Sequence, residues 1–257
     1  MSLPQMLLLF TSAVLGGTLN AVAGGASFFT FFALCSIGVL PIQANATSTV
    51  ALWPGAIAST GAYRRELALQ KRGLLFLLVA TSLIGGVLGA LLLLNTSQTT
   101  FVHLIPYLLL MATLLFAFSG PVTAQLRKRN IGKKHASRPG LFGLSLVQFV
   151  IATYGGYFGG GMSILVLTTL AMMGMRNIHK MNAVKTLLNV CVNAVAIIAF
   201  IVAGIIVWQE AILMVIGSLI GGYGGAYYAR RIDQKWVRLF VIIFGFGLTT
   251  YFFVRQL

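Results

Sequence analysis

The chain has 257 residues, of which 58% are hydrophobic and only 8% charged. A water-soluble domain carries about 25% charged residues, so a chain this poor in charge cannot cover its own surface in water and must turn most of it to lipid. The net charge of +15 comes from 18 Lys plus Arg against three acids; these bases sit in short loops between apolar runs, where they act as topology determinants and not as a nucleic-acid surface.

Ten apolar segments follow one another, at about 3–22, 27–40, 44–63, 73–94 and 101–124, then 140–157, 162–175, 182–207, 211–229 and 239–254. Crossing roughly 30 Å of hydrocarbon takes about 20 residues of helix, so most of these are long enough to span. The first segment has no Lys or Arg before it, so it lacks the basic start of a signal peptide and is expected to be a retained span. The stretch Arg127 to Arg138, RKRNIGKKHASR, is the longest polar run. The expected organisation is a first membrane repeat over 1–126, a basic cytoplasmic linker over 127–138 and a second membrane repeat over 139–257. Cys35 and Cys191 both lie inside apolar segments with no CxxC or Cys/His spacing, so no metal, cofactor or disulfide is expected.

The two halves repeat each other. Ser82 to Ala90 reads SLIGGVLGA and Ser218 to Ala226 reads SLIGGYGGA, seven of nine matching at an offset of 136. At that offset Gly24-Gly25-Ala26-Ser27 falls on Gly160-Gly161-Met162-Ser163, and one residue further out of step Asn45-Ala46 falls on Asn182-Ala183. The bases orient the repeat. If the loops 64–72, 127–138, 176–185 and 230–238 are cytoplasmic, 17 of the 18 Lys and Arg lie inside and only Arg255 is left outside. That single assignment satisfies the positive-inside rule and places both termini externally. Five segments per half, an odd number, then invert the second half against the first. The fold class expected is all-α and integral to the membrane, with two inverted repeats, an architecture that carriers and some channels share and that holds substrate near the midplane.

The second segment of each half is short and begins beside a glycine cluster, Gly24-Gly25 in one half and Gly155-Gly156 with Gly159-Gly160-Gly161 in the other. Non-helical backbone at membrane depth survives only where protein or water satisfies it. The expectation is a broken hairpin in each half, with Ser27 and Ser163 as N-caps of half-helices that start near the midplane. Such helix starts present free N–H groups and a positive dipole end, which attract an anion without any basic side chain. The GxxxG-type spacings Gly85/Gly89 and Gly221/Gly225, in contrast, are those of close helix packing.

The third segments open with the paired asparagines. Asn182, Lys185, Asn189 and Asn193 fall on one helical face, and Asn45, Ser48 and Thr49 on the counterpart face before it turns apolar at Leu52 and Ala56. Polar stripes along a span are costly unless they meet a cavity or one another, so the asparagines either bind substrate or bond between helices. Lys185 either contacts an anion or extends its stem to the cytoplasmic interface. The acids Glu66, Glu210 and Asp233 fall in loops or at segment ends, leaving no carboxylate inside a span as a proton relay. His103 and His179 are placed as interface residues, Trp53-Pro54-Gly55 as a kink, and Trp208 and Trp236 as interfacial anchors. Three dispersed acids and three histidines assemble no enzyme constellation. A lipid-facing scaffold would need neither broken hairpins nor polar faces, which favours a carrier, with an anion channel of the same architecture or a non-transporting membrane scaffold as the alternatives. The candidate substrate-binding residues are Gly24, Gly25, Ser27, Asn45, Thr49, Gly160, Gly161, Ser163, Asn182, Lys185 and Asn189.

Gly24-Gly25-Ala26-Ser27, a short apolar helix, Asn45-Ala46-Thr47, Trp53-Pro54-Gly55 and Tyr63-Arg64-Arg65 together resemble the first half of the TauE/SafE permeases, and Gly159-Gly160-Gly161 with Asn182-Ala183-Val184-Lys185 resembles their second half. The similarity runs over most of the chain. It implies transport of sulfite, sulfoacetate or related organosulfonates across the bacterial cytoplasmic membrane, and it agrees with the anion asked for by the half-helices; a coupling proton or ion is left open by the residues. Gly-Gly-Ala-Ser stands where family members often have a longer glycine run, so the two half-sites are expected to be unequal.

Overall fold

The computed structural model describes residues 1–22, 27–129, 138–173, 175, 177–228 and 234–256. Among them there is no strand, and the helices are α1 (Leu3–Val22), α2 (Ser27–Ser36), α3 (Pro41–Ala62), α4 (Arg64–Ala68), α5 (Arg72–Leu94), α6 (Gln98–Arg129), α7 (Arg138–Tyr157), α8 (Met162–Met172), α9 (Ile178–Val202), α10 (Trp208–Tyr228) and α11 (Gln234–Gln256). Each of the ten apolar segments becomes one helix. The addition is α4, a single turn in the basic loop between α3 and α5. Helix α6 continues through the start of the basic stretch as far as Arg129, and Gly24, Gly25 and 130–137 lie outside the described residues.

Among the described residues four stretches are long and apolar enough to cross a membrane: Leu3–Asn20, Arg72–Leu94, Gln98–Leu115 and His179–Val202. Helices α2 and α8 are apolar but only 10 and 11 residues long, or about 15–17 Å at 1.5 Å per residue. They fall well short of a bilayer, and shorter than the segments 27–40 and 162–175 implied. Large apolar side chains on the outward faces, among them Phe76 at 76% and Ile84 at 63% exposure on α5, have no protein to cover them. A belt of this kind is stable against lipid and unfavourable in water.

Packing joins distant parts of the chain. Helix α1 lies along α10, α5 along α7, α3 between α9 and α10, and α6 along α11. Small residues set the closest of these approaches. A Cβ on Gly85 would lie 2.6 Å from the Phe149 carbonyl oxygen and 2.8 Å from Ala152 Cβ, and one on Gly221 would collide with the Val14 carbonyl. Glycine is required there because backbone meets backbone, the packing that drives helix association where lipid removes the hydrophobic term. The short helices are held by side chains. Phe29 of α2 stacks on Phe244 of α11 with ring centroids 4.0 Å apart, and Phe32 meets Phe244 and Tyr251 edge-on. Helix α8 packs on α6, α7 and α9.

Candidate functional site

Between α2 and α8 lies a small cavity lined by Asn20, Ser27, Ser48, Thr49, Leu52, Phe158, Gly159, Gly161, Ser163, Asn189 and Asn193. It is assembled from five helices and one loop, and among the described residues no charged side chain lines it. Its volume is about 40 Å³, room for roughly three waters or one small oxyanion.

The loop is built by glycine. Helix α7 ends at Tyr157, and Gly159 and Gly161 then take φ of +77° and +79°, values that an L side chain adopts only with strain. Tyr154 donates its hydroxyl to the Gly160 carbonyl, and Asn45 Nδ2 donates to the Tyr157 carbonyl at 3.0 Å. Both ends of the turn are thereby pinned. Gly160 itself sits between the rings of Phe158 and Phe28 and faces them, leaving the cavity to its neighbours.

Helix α8 starts immediately after this turn with Gly161 as its N-cap and no side-chain cap. This corrects the expectation for Ser163, which is the second helical residue. The left-handed turn at Gly161 ends the loop two residues earlier than a serine cap would, and the Ser163 hydroxyl is free to accept from Asn189 Nδ2 at 3.2 Å. Ser27 is the first residue of α2 and Ala26 before it lies outside the described residues, so its capping role is not part of the described geometry. The amide N–H groups of Gly161 and Ser163 donate to no group among the described residues. They are the free donors that a helix start leaves.

The remaining polar groups form short chains. Asn193 Nδ2 donates to Asn189 Oδ1 at 2.8 Å, and Asn189 donates onward to Ser163. Ser48 shares a hydrogen bond with Thr30, and both are buried. Thr49 turns its hydroxyl proton back to the Asn45 carbonyl at 2.8 Å, so toward the cavity it presents oxygen lone pairs. Asn20 and Ser27 line the cavity with no side-chain partner among the described residues. The site is thus rich in neutral donors, with hydroxyls and amides that rotate to suit a guest.

Of the residues singled out from the sequence, Ser27, Thr49, Gly161, Ser163 and Asn189 come together at the cavity, while Asn45, Gly160, Asn182 and Lys185 do not line it. Asn45 spends its amide on the Tyr157 carbonyl, a tie between helices. Lys185 is 7% exposed and lies on α9 four residues before Asn189. Gly24 and Gly25 lie outside the described residues. Asn20 and Phe158 were not marked in the sequence. A signal for Asn20 existed, since it is a lone amide at the end of an apolar span four residues before the glycine pair. Phe158 lies inside the glycine cluster, between Gly156 and Gly159, but as an apolar ring it carried no chemical signal of its own. Glu210, expected at a segment end, is in the first turn of α10 and is 9% exposed, with Oε2 lacking a partner among the described residues. Among the described residues no group of three or more His, Cys, Asp or Glu is placed to hold a metal.

Comparison with known proteins places these features in a family. Residues 9–252 match the sulfite exporter TauE/SafE family. A "probable membrane transporter protein" of Haemophilus influenzae is 29% identical over 243 residues, covering 94% of this chain and 92% of that protein. The Escherichia coli K12 "probable membrane transporter protein YfcA" is 26% identical over 91% of this chain and 84% of its own length. The "probable membrane transporter protein ORF9" of a Sinorhizobium species is 29% identical over 93% and 89%. No solved structure matches. With membrane-capable helices, shorter apolar helices and a match over nearly its whole length, the chain belongs to the sulfite exporter TauE/SafE family of membrane transporters.

Proposed function

We propose that this protein is a carrier that moves a small sulfur oxyanion, sulfite or a compact sulfonate, across the bacterial cytoplasmic membrane by alternating access. The observation that carries the reading is the cavity at the start of α8, where the unpaired amides of Gly161 and Ser163 meet the hydroxyl and amide groups of Ser27, Ser163, Asn20 and Asn193. Free N–H groups at a helix start favour negative charge, and oxyanions accept hydrogen bonds from several directions at once. Neutral donors suit a substrate that must also leave. The volume fits an inorganic oxyanion or a very short sulfonate; a longer organosulfonate requires the cavity to widen.

The packing supports two inverted halves of five helices, over 1–126 and 139–257, joined by the basic linker 127–138. Shifting by one repeat turns α1 into α7 and α10 into α5, so the α1–α10 and α7–α5 contacts are exchanged for one another. The pairs α3–α9 and α6–α11 map onto themselves. Trp53 Nε1 donates at 3.2 Å to the carbonyl of Val190, 137 residues on and its own counterpart. With the basic loops cytoplasmic, both termini are external.

The test is uptake of radiolabelled sulfite, methanesulfonate and sulfate into proteoliposomes, with and without a pH gradient. Flux of sulfite or methanesulfonate above sulfate supports the substrate class, and dependence on the gradient identifies a coupling proton. Absence of flux for all three rejects the class. Orientation is tested separately on Leu69→Cys, an exposed position, whose labelling from outside would reverse the topology.

A further inference from the structure

Lys185 is buried, at 7% exposure, on a helix facing lipid and protein. Its ammonium forms no hydrogen bond or ion pair with any described residue. The helices packed on α9 are α3, α4, α5, α7 and α8, and the one acid they carry is Glu66 of α4, which is not bonded to it. The chain's other two acids are Glu210, on α10, and Asp233, which lies outside the described residues. An unpaired buried ammonium is costly and is stabilised by a counter-charge, and the described residues supply none. The nitrogen is also not sealed in. The fully enclosed side-chain atoms without partners among the described residues are Gln98 Nε2, Thr113 Oγ1 and Glu210 Oε2.

Position separates Lys185 from the cavity. It precedes Asn189 by four residues, about 6 Å along the helix axis, and shares its face. Helical side chains lean toward the helix N-terminus, so the ammonium points away from the cavity, toward the end of α9 that begins at Ile178.

We propose that Lys185 is a second anion station, holding a small oxyanion by charge one helical turn from the cavity that holds it by neutral donors. The station rests on the reading of this protein as an anion carrier and gives the anion a place between the cavity and the basic loop ahead of α9. A fixed positive charge beside a neutral site draws anions in. Placing the charge outside the tightest site keeps the central one reversible.

The test is equilibrium binding of radiolabelled sulfite and methanesulfonate to the purified full chain in nanodiscs. Wild type is expected to bind two anions per chain, Lys185→Gln and Lys185→Met one, and Lys185→Arg two. Ser163→Ala is expected to weaken the site that Lys185→Gln retains. A parallel measurement needs no variant: saturating methanesulfonate, which unlike sulfite does not consume formaldehyde, should slow reductive methylation of Lys185 in wild type, read by peptide mass. Unchanged stoichiometry in both neutral variants, unprotected Lys185, or no binding of either anion to wild type would each overturn the station. Binding that depends on Lys185 without flux in proteoliposomes would keep the station and reject the carrier.

Discussion

Asn45 Nδ2 bonds the carbonyl of Tyr157, 112 residues away, at 3.0 Å. Tyr157 is the last residue of α7 before the turn that lines the cavity, so an amide from the first half fixes where the glycine turn of the second half begins. Asn45 is buried and Tyr157 half-buried, and a carbonyl left there without its donor is expensive.

Asn45→Ala should therefore cost about 1–2 kcal/mol of stability, seen as a lower Tm in detergent. Anion binding should weaken together with stability, because the turn loses its anchor. An unchanged Tm with lost binding would return Asn45 to the list of direct ligands.

Gly161 has φ of +79°, and a Cβ there would lie 3.2 Å from Ala112 Cβ. Gly161→Ala should destabilise by about 1–2 kcal/mol from backbone strain alone. Anion affinity should fall more than at Gly143→Ala, whose added methyl meets nothing within 4 Å. Equilibrium binding and thermal unfolding on the two variants make the comparison.

The α5–α7 contact depends on a missing side chain. Gly85→Val has to push α5 off the Phe149 carbonyl and Ala152, and overpacking of that kind costs about 1–3 kcal/mol or more. Gly73→Ala, with nothing within 4 Å, should be neutral or slightly stabilising. Monodispersity after purification and Tm will separate them.

Asn189 stands between Ser163 and Asn193 in one hydrogen-bonded chain. Asn189→Ala frees both neighbours and removes an amide from the cavity, so anion uptake should fall by tenfold or more, corresponding to about 1.4 kcal/mol. Wild-type uptake in this variant would place the anion elsewhere.

Trp53 crosses from α3 to the Val190 carbonyl of α9 at 3.2 Å. Trp53→Phe keeps most of the ring packing and loses the bond, a cost of about 1 kcal/mol. If α3 and α9 move against each other during transport, that variant should also change the rate of uptake more than the affinity, which initial-rate kinetics resolves.

Much of the architecture was legible in the residues. Hydropathy located each long helix to within a few positions, because a span in lipid must satisfy its backbone internally and announces itself as an apolar run. The glycines around Gly161 marked the break before α8, since a left-handed turn excludes most side chains. Gly85 and Gly221 marked close packing for the same lack of a Cβ. Periodicity also grouped Lys185, Asn189 and Asn193 on one face of α9. What it left open was which part of that face meets the cavity. A helical period states which residues share a side and leaves free the rotation and height of that side against its neighbours. Only the crossing of α3 and α9 and the pinned turn after α7 bring Asn20, Phe158 and Asn193 to one space, draw Asn45 off to a carbonyl, and leave Lys185 a turn away. Those outcomes depend on contacts between residues more than a hundred positions apart, and such contacts are decided by tertiary packing alone.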